Sequence, residues 1–289
     1  MTEPVCEYAT RRPAPPLRPF VEEYAGYRLQ GYPAGIHRGL PGRHLTFIIS
    51  LGDPVDIAAM PDPAHPPVST AAFVSGLTEG PATIVHDGRQ HGVSVDLTPL
   101  GARALLGLPA AKLAATVVEL DAVMGRDAAR LCDRLASAST WSERFDVLDA
   151  VLAAAAGRVQ LAPPRAEVVH AWHRLVAAGG SIPVGSLASE LGWSRRHLGE
   201  RFRTEIGLAP KAVARVVRFE RARRLLERPE GPGLAQVAAI AGYYDQAHLN
   251  REWRSLAGCS PTTWMAEELP SVRSELDGGG WNAGGADAG

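Results

Sequence analysis

Two sets of side chains in the C-terminal half have the types and the spacing to read the edges of base pairs. One is Arg195, Arg196, Gly199, Glu200 and Arg203; the other, about fifty positions later, is Gln246, Ala247, Asn250, Arg251 and Arg254. On a helix each set shares one face, because positions three and four apart lie above one another. In the major groove of duplex DNA an arginine pairs with guanine O6 and N7, and Asn or Gln with adenine. Glu accepts from cytosine N4, and Ala meets a thymine methyl. Such chemistry is recognition rather than bond making.

Two helices must hold these faces outward. Leu198 with Phe202, and Leu249 with Trp253, lie four apart and define the buried sides. Ser194 and Asp245 are good N-caps for helices over 195–206 and 246–256. The surrounding sequence repeats as well. Leu187, Ala188, Leu191 and Gly192 return as Val237, Ala238, Ala241 and Gly242, and Leu198, Phe202, Gly207 and Pro210 return as Leu249, Trp253, Gly258 and Pro261. The one extra residue falls in the turn, where Gly192-Trp193-Ser194 becomes Gly242-Tyr243-Tyr244-Asp245, so both flanking helices survive the change of length. Between the units a helix over 210–228 is expected, with Val216, Phe219, Ala222 and Leu226 as its apolar stripe. At 1.5 Å per residue it would be about 27 Å long, near the roughly 34 Å repeat of the duplex. Of its arginines, Arg215, Arg218, Arg221, Arg223 and Arg224, some are expected on phosphate and others in pairs with Glu220 and Glu227.

These motifs resemble the AraC/XylS family of bacterial transcription regulators. The resemblance covers about 165–268 and rests on Leu187-Ala188-x-x-Leu191-Gly192, Leu198-x-x-x-Phe202 with Gly207 and Pro210, Arg218-x-x-x-Ala222-x-x-Leu225-Leu226, Ala238-x-x-Ala241-Gly242-Tyr243, and Arg251-x-x-Arg254 with Gly258-x-Ser260-Pro261. It implies a seven-helix domain that binds adjacent major-groove segments and activates transcription through RNA polymerase. The family's base-contacting places fall on Arg196, Gly199, Glu200, Gln246, Ala247 and Asn250, with Arg251 on phosphate. Two positions depart from the pattern: Gly199 offers no side chain where a base would be read, and Trp253 enlarges a core position usually held by Phe.

The rest of the chain sets bounds on this reading. A length of 289 residues accommodates two domains. Residues 1–162 carry 14 Arg and Lys against 17 Asp and Glu, whereas 163–258 carry 15 against 9, so the excess able to neutralise phosphate lies in the C-terminal half. Cys6, Cys132 and Cys259 are too few and too scattered for a disulfide framework or a four-cysteine zinc site, which suits a reducing cytoplasm. No apolar run reaches a membrane span and no signal peptide is apparent, so a cytoplasmic protein without membrane contact is expected.

The expected fold is α+β with two domains. Residues 1–162 form a β-rich, cupin-like domain with trailing helices for effector binding or dimerisation. Residues 163–269 form the all-α tandem helix-turn-helix domain, after the break at Ala162-Pro163-Pro164, and 270–289 form a disordered tail. Within the first part, Arg11–Pro19 reads as an extended lead-in, His44–Leu51 as a strand, and Asp53–Pro67, with five prolines, as a loop. Thr83–Leu97 reads as a hairpin around Asp87-Gly88. Thr98, Pro99 and Gly107 bound a short helix, and helices over 127–138 and 142–158 follow. Phe145, Leu148, Leu152 and Ala155 read as core, and that helix with Leu131 and Leu135 is the place for a homodimer seam if one exists.

The β-rich half resembles the sensor domains of such regulators, so a small-molecule effector is expected at residues the sequence does not reveal. His37, His44, His86 and His91 raise a second reading, a metal-dependent cupin-type enzyme fused to a DNA reader. They lack a tight His-x-His pair with a following Glu, and no nucleophile, phosphate-loop or dinucleotide motif stands out. Neither a catalytic residue nor a cofactor or metal is therefore expected. A third reading is a constitutive DNA binder whose N-terminal half only dimerises.

Overall fold

The computed structural model describes residues 5–158, 161–228 and 230–268. Ten strands come first: β1 (Val5–Arg11), β2 (Val21–Gln30), β3 (Gly35–Gly39), β4 (Leu45–Ser50), β5 (Val55–Ala59), β6 (Val68–Thr70), β7 (Ala72–Ser75), β8 (Ala82–His86), β9 (Gln90–Leu97) and β10 (Val117–Glu119). They form a six-stranded sheet in the order β1-β2-β9-β4-β7-β10 and a four-stranded sheet in the order β3-β8-β5-β6. In the larger sheet the two faces have different jobs. Leu45, Phe47 and Ile49 of β4, with Val93, Val95 and Leu97 of β9, are buried on one face, while Thr46, Ile48, Ser50, Ser94 and Asp96 line a cavity on the other.

Helices α1 (Pro99–Leu106), α2 (Leu120–Met124), α3 (Arg126–Ser137) and α4 (Trp141–Arg158) cover the apolar face. The bounds of α1 are those its sequence demands: the Thr98 side chain accepts from the Gly101 amide, Pro99 starts the helix, and Gly107 closes it. Phe145, Leu148, Leu152 and Ala155 are core, as expected. Leu131 and Leu135 are fully enclosed, so the apolar seam proposed for a dimer is consumed inside the chain.

Three local expectations are corrected. β8 and β9 are not hairpin partners: β8 pairs with β3 and β5, β9 with β2 and β4. The Asp87-Gly88 turn is present, with Gly88 at φ +91, but it carries the chain from one sheet to the other. A Cβ on Gly88 would lie 1.8 Å from the Tyr32 carbonyl, so glycine is needed for this close crossing. The stretch 53–67 is not all loop, because β5 fits between Pro54 and Pro61. The prolines bracket the strand rather than interrupt it. The lead-in over 11–19 is not all extended either: Arg11 ends β1 and Pro15–Leu17 make a 3-10 turn that buries Leu17.

The remaining described helices are α5 (Ala166–Ala177), α6 (Val184–Glu190), α7 (Arg195–Ile206), α8 (Pro210–Leu226), α9 (Leu234–Ala241), α10 (Gln246–Ala257) and α11 (Pro261–Glu267). The expected tail over 270–289 lies outside the described residues. None of the described helices is long and apolar enough to cross a membrane.

Apolar packing divides these helices unequally. Leu187, Leu198, Phe202, Ile206, Val213 and Val217 belong to the same cluster as Leu97, Leu106, Leu113 and Leu148 of the N-terminal domain. Val216, Phe219, Leu226, Val237, Leu249, Trp253 and Trp264 form a second cluster, against which Leu40 packs from the N-terminal side. The first helix-turn-helix unit thus shares a core with the β-rich domain, and the second has its own.

Candidate nucleic-acid interface

Each unit builds its outward helix the same way. Ser194 accepts from the His197 amide at 3.1 Å and Asp245 from the His248 amide at 2.6 Å, satisfying donors that a helix start leaves open. The preceding turns need Gly192 at φ +67 and Gly242 at φ +86, a region that costs any residue with a Cβ. Leu198, Phe202, Leu249 and Trp253 are at 0% exposure, so the expected buried faces are the observed ones. Trp253 stacks in a tilted array with Phe219 at 4.7 Å and Trp264 at 5.5 Å, which accounts for its larger ring.

The two units share a second echo that their sequences do not display. The Trp193 and His197 rings meet edge to face at 4.6 Å, and Tyr243 and His248 do so at 5.4 Å. In both units an aromatic in the turn braces a histidine in the first turn of the outward helix. The extra residue makes the spacing four in one unit and five in the other, which hid the correspondence.

On α7, Arg195, Arg196, Glu200 and Arg203 are exposed. Arg196 and Glu200 are paired at 2.8 Å, one turn apart and in solvent, where such a pair is weak and easily exchanged for another partner. The Arg195 guanidinium lies over Gly185 of α6, within about 3 Å of where a Cβ there would sit. Around Gly199 a Cβ would meet nothing within 4 Å, so the fold itself does not require glycine there.

On α10, Gln246, Ala247, Arg251 and Arg254 are exposed, but Asn250 is half-buried and its Oδ1 is enclosed without a partner. A bidentate contact to adenine needs both ends of the amide. Gln246 is free to offer both and Asn250 only one. Tyr244, the extra turn residue, is 93% exposed beside Gln246.

The arginines of α8 mostly face the protein. Arg215 pairs with Glu252 at 2.8 Å and with Glu79 of the N-terminal domain at 2.9 Å. Arg218 donates to the Gly180 carbonyl at 2.8 Å and lies over the Tyr243 ring. Arg223 pairs with Glu227 at 3.4 Å and Arg224 with Glu220 at 3.1 Å, as expected for those members of the set. Both of these arginines line the cavity beside the β-rich domain, a side opposed by protein.

That cavity, about 1310 Å³, lies between the two sheets and is bounded by α8 and α11. Ion pairs fasten its rim. Arg43 joins Glu22 and, at 3.0 Å, Glu220; Arg38 meets Glu268 at 2.6 Å and Glu267 at 2.8 Å. On the other side of the joint Arg103 grips Glu205 of α7 with two contacts of 2.6 and 2.5 Å. The Glu22 carboxyl is held down at about 2, first by the hydrogen bond from His44 and then by the charges of His44 and Arg43.

The histidines that suggested a metal are occupied separately. His44 bonds Glu22 at 2.8 Å, His37 faces Glu268 at 3.5 Å, His86 accepts from the Gly88 amide, and His91 meets the Trp141 ring. Among the described residues no group of three or more His, Cys, Asp or Glu side chains is arranged to hold a metal ion.

Residues 187–267 match the sequence family described as a helix-turn-helix domain, and residues 9–119 match a domain of unknown function, DUF6597. Among solved structures, ToxT from Vibrio cholerae is similar over 90% of this chain and 98% of its own, with 10% identity and a TM-score of 0.52. ToxT from Vibrio cholerae O395 bound to (E)-4-(8-methylnaphthalen-1-yl)but-3-enoic acid is similar over 92% and 99%, with 10% identity and a TM-score of 0.53. The DNA-binding domain of AdpA, in complex with a target DNA, aligns with 35% of this chain and 96% of its own at 24% identity and a TM-score of 0.32. Comparison with curated proteins found no match. At such identities the likeness to ToxT is one of fold: a β-rich domain followed by paired helix-turn-helix units.

Proposed function

We propose that this chain, whose C-terminal part is an AraC-type helix-turn-helix region, is a sequence-specific transcription regulator that reads two successive major-groove segments with α7 and α10. The observation that carries the reading is the pair of capped helices with buried Leu and aromatic residues on one side and exposed Arg, Gln and Ala on the other. The second unit supplies amide readout through Gln246, with Ala247 on a base edge and Arg251 and Arg254 on base edges or phosphate. The first leans on Arg195, Arg196, Glu200 and Arg203, with Gly199 letting the helix approach closely. Asn250 is demoted to a single hydrogen bond.

Activation through RNA polymerase is the mode we assign, on the resemblance to the family. The cavity supports a role for the N-terminal domain as a small-molecule sensor, since a volume of about 1310 Å³ exceeds that of usual ligand sites. Footprinting on the DNA upstream of its own coding sequence, with and without a metabolite extract, tests both parts. Protection of two adjacent major-groove segments that responds to the extract is expected. Equal affinity for that DNA and for random duplex would overturn sequence-specific reading, and a footprint indifferent to every extract would favour the constitutive binder.

A further inference from the structure

Ten carboxylates and seven guanidiniums line the cavity. Six of those guanidiniums are held in ion pairs: Arg28, Arg38, Arg43, Arg89, Arg223 and Arg224. Three of the carboxylates have no arginine in close contact: Asp56, which accepts from the Ser69 hydroxyl, and the neighbouring pair Glu23 and Asp96. The sheet register explains their closeness. Val21 of β2 pairs with Leu97 of β9 and Tyr24 with Val95, so the register shift between them sets two residues, Glu22 and Glu23, against the single Asp96. Like charges side by side on a sheet repel. His44 reaches Asp96 only at 3.7 Å and gives its short contact, 2.8 Å, to Glu22. Arg12 acts on Glu23 from a distance. Burial, and then the charge of Asp96, push the Glu23 carboxyl up; burial also raises Asp96, with Glu220 adding to it.

Other walls of the same cavity, about four residues along β2 from Glu23, suit the counterpart of two uncompensated carboxylates. Tyr8 and Tyr27 stand opposite each other on β1 and β2 and line the cavity. Aromatic faces attract cations. Ile48 and Ile84, packed with Ile57 and Phe73, supply an apolar wall. We propose that the cavity binds an organic cation, a primary amine or amidine with an apolar tail, whose charged head sits between Glu23 and Asp96.

The site connects to the DNA-binding helices through a continuous polar chain. Asp96 faces His44, His44 bonds Glu22, Glu22 bonds Arg43, and Arg43 bonds Glu220 on α8. A cation that draws Asp96 away from His44 changes the demand on Glu22 and thereby on the Arg43–Glu220 contact. This coupling rests on the DNA-binding reading given above; the ligand class does not.

The test uses the full chain and three probes of equal length, hexylamine, hexanoate and hexanol, in thermal shift and calorimetric titrations without DNA. Hexylamine is expected to raise the melting temperature and to bind at least tenfold more tightly than the other two. Asp96→Asn and the double variant Glu23→Gln/Asp96→Asn should fold, melt higher than the parent in the absence of ligand, and lose at least tenfold in amine affinity. Hexanoate binding as tightly as hexylamine, or amine affinity surviving the double substitution, overturns the assignment. DNA affinity is then measured with and without hexylamine. A bound amine that leaves it unchanged overturns the coupling but not the site, whereas absence of DNA binding in every condition bears on the earlier reading alone.

Discussion

The two helix-turn-helix units are near copies in sequence and differ in what holds them to the rest of the chain. The first is continuous with the N-terminal domain: Phe202 and Ile206 share a core with Leu106 and Leu113, and a Cβ on Gly207 would come within 2.8 Å of the Ala114 side chain. The second meets that domain through Leu40 and through the Arg43–Glu220, Arg38–Glu268 and Glu79–Arg215 contacts. Buried apolar surface is given up only by unfolding or exposing it, whereas ion pairs exchange partners. Duplication of a fold therefore does not duplicate its freedom: the first unit is anchored and the second is clasped.

The largest test of this contrast is Trp253→Ala, which should cost about 3–5 kcal/mol. Hydrogen exchange should show the loss confined to α8–α11; deprotection of the strands as well would mean the second core is not separate. Ile206→Ala should cost about 2–5 kcal/mol, and here α7 and the β-rich domain should lose protection together. If the strands stay protected, the shared core is not cooperative.

At the proposed DNA surface the contrast is chemical. Gln246→Ala should weaken specific binding by about 1–3 kcal/mol while sparing random duplex, and Asn250→Ala should cost less because one end of its amide is enclosed. Equal losses would restore the two amides to parity. At the position equivalent to Asn250, Gly199→Ala should stabilise the fold by about 1 kcal/mol, since α7 has open space there; no rise in melting temperature would mean that the helix is strained at that point.

Acid should separate the two attachments last and most gently. Glu22 titrates at about 2 in the fold against an ordinary 4.5. A lowered carboxylate contributes stability that is present above its unfolded value and lost as pH falls through its folded one. Between about pH 4.5 and 2 the clasp at Arg43 should loosen, with exchange rising in α8 before the α7 seam changes. Glu22→Gln should remove that part of the acid response.

Elements set by neighbours in sequence were readable in advance. Thr98, Ser194 and Asp245 cap helices through bonds three residues away, and the glycines after them demand turns, so helix ends fell where expected. Pairing over distance was not readable. Asp87-Gly88 announces a tight turn, but nothing local says that β8 and β9 leave it for different sheets. The arginines of α8 show the same limit: periodicity puts Arg223 and Arg224 off the apolar stripe, and only the fold sets the β-rich domain against them. Asn250 was expected to face outward like Gln246, and its enclosed oxygen arises from packing that a helical wheel does not register. The clasp joins residues 136 to 230 positions apart, beyond any motif.

The shared core also has a meaning for the order in which the chain is made. When the β-rich domain has left the ribosome, Leu106 and Leu113 still lack the neighbours that Phe202 and Ile206 bring. That surface stays open until some forty further residues have been synthesised, so the β-rich half finishes folding only once α7 arrives. A gene cut at Ala162 would release a protein with an unfinished apolar face, and a chaperone would meet it before DNA did.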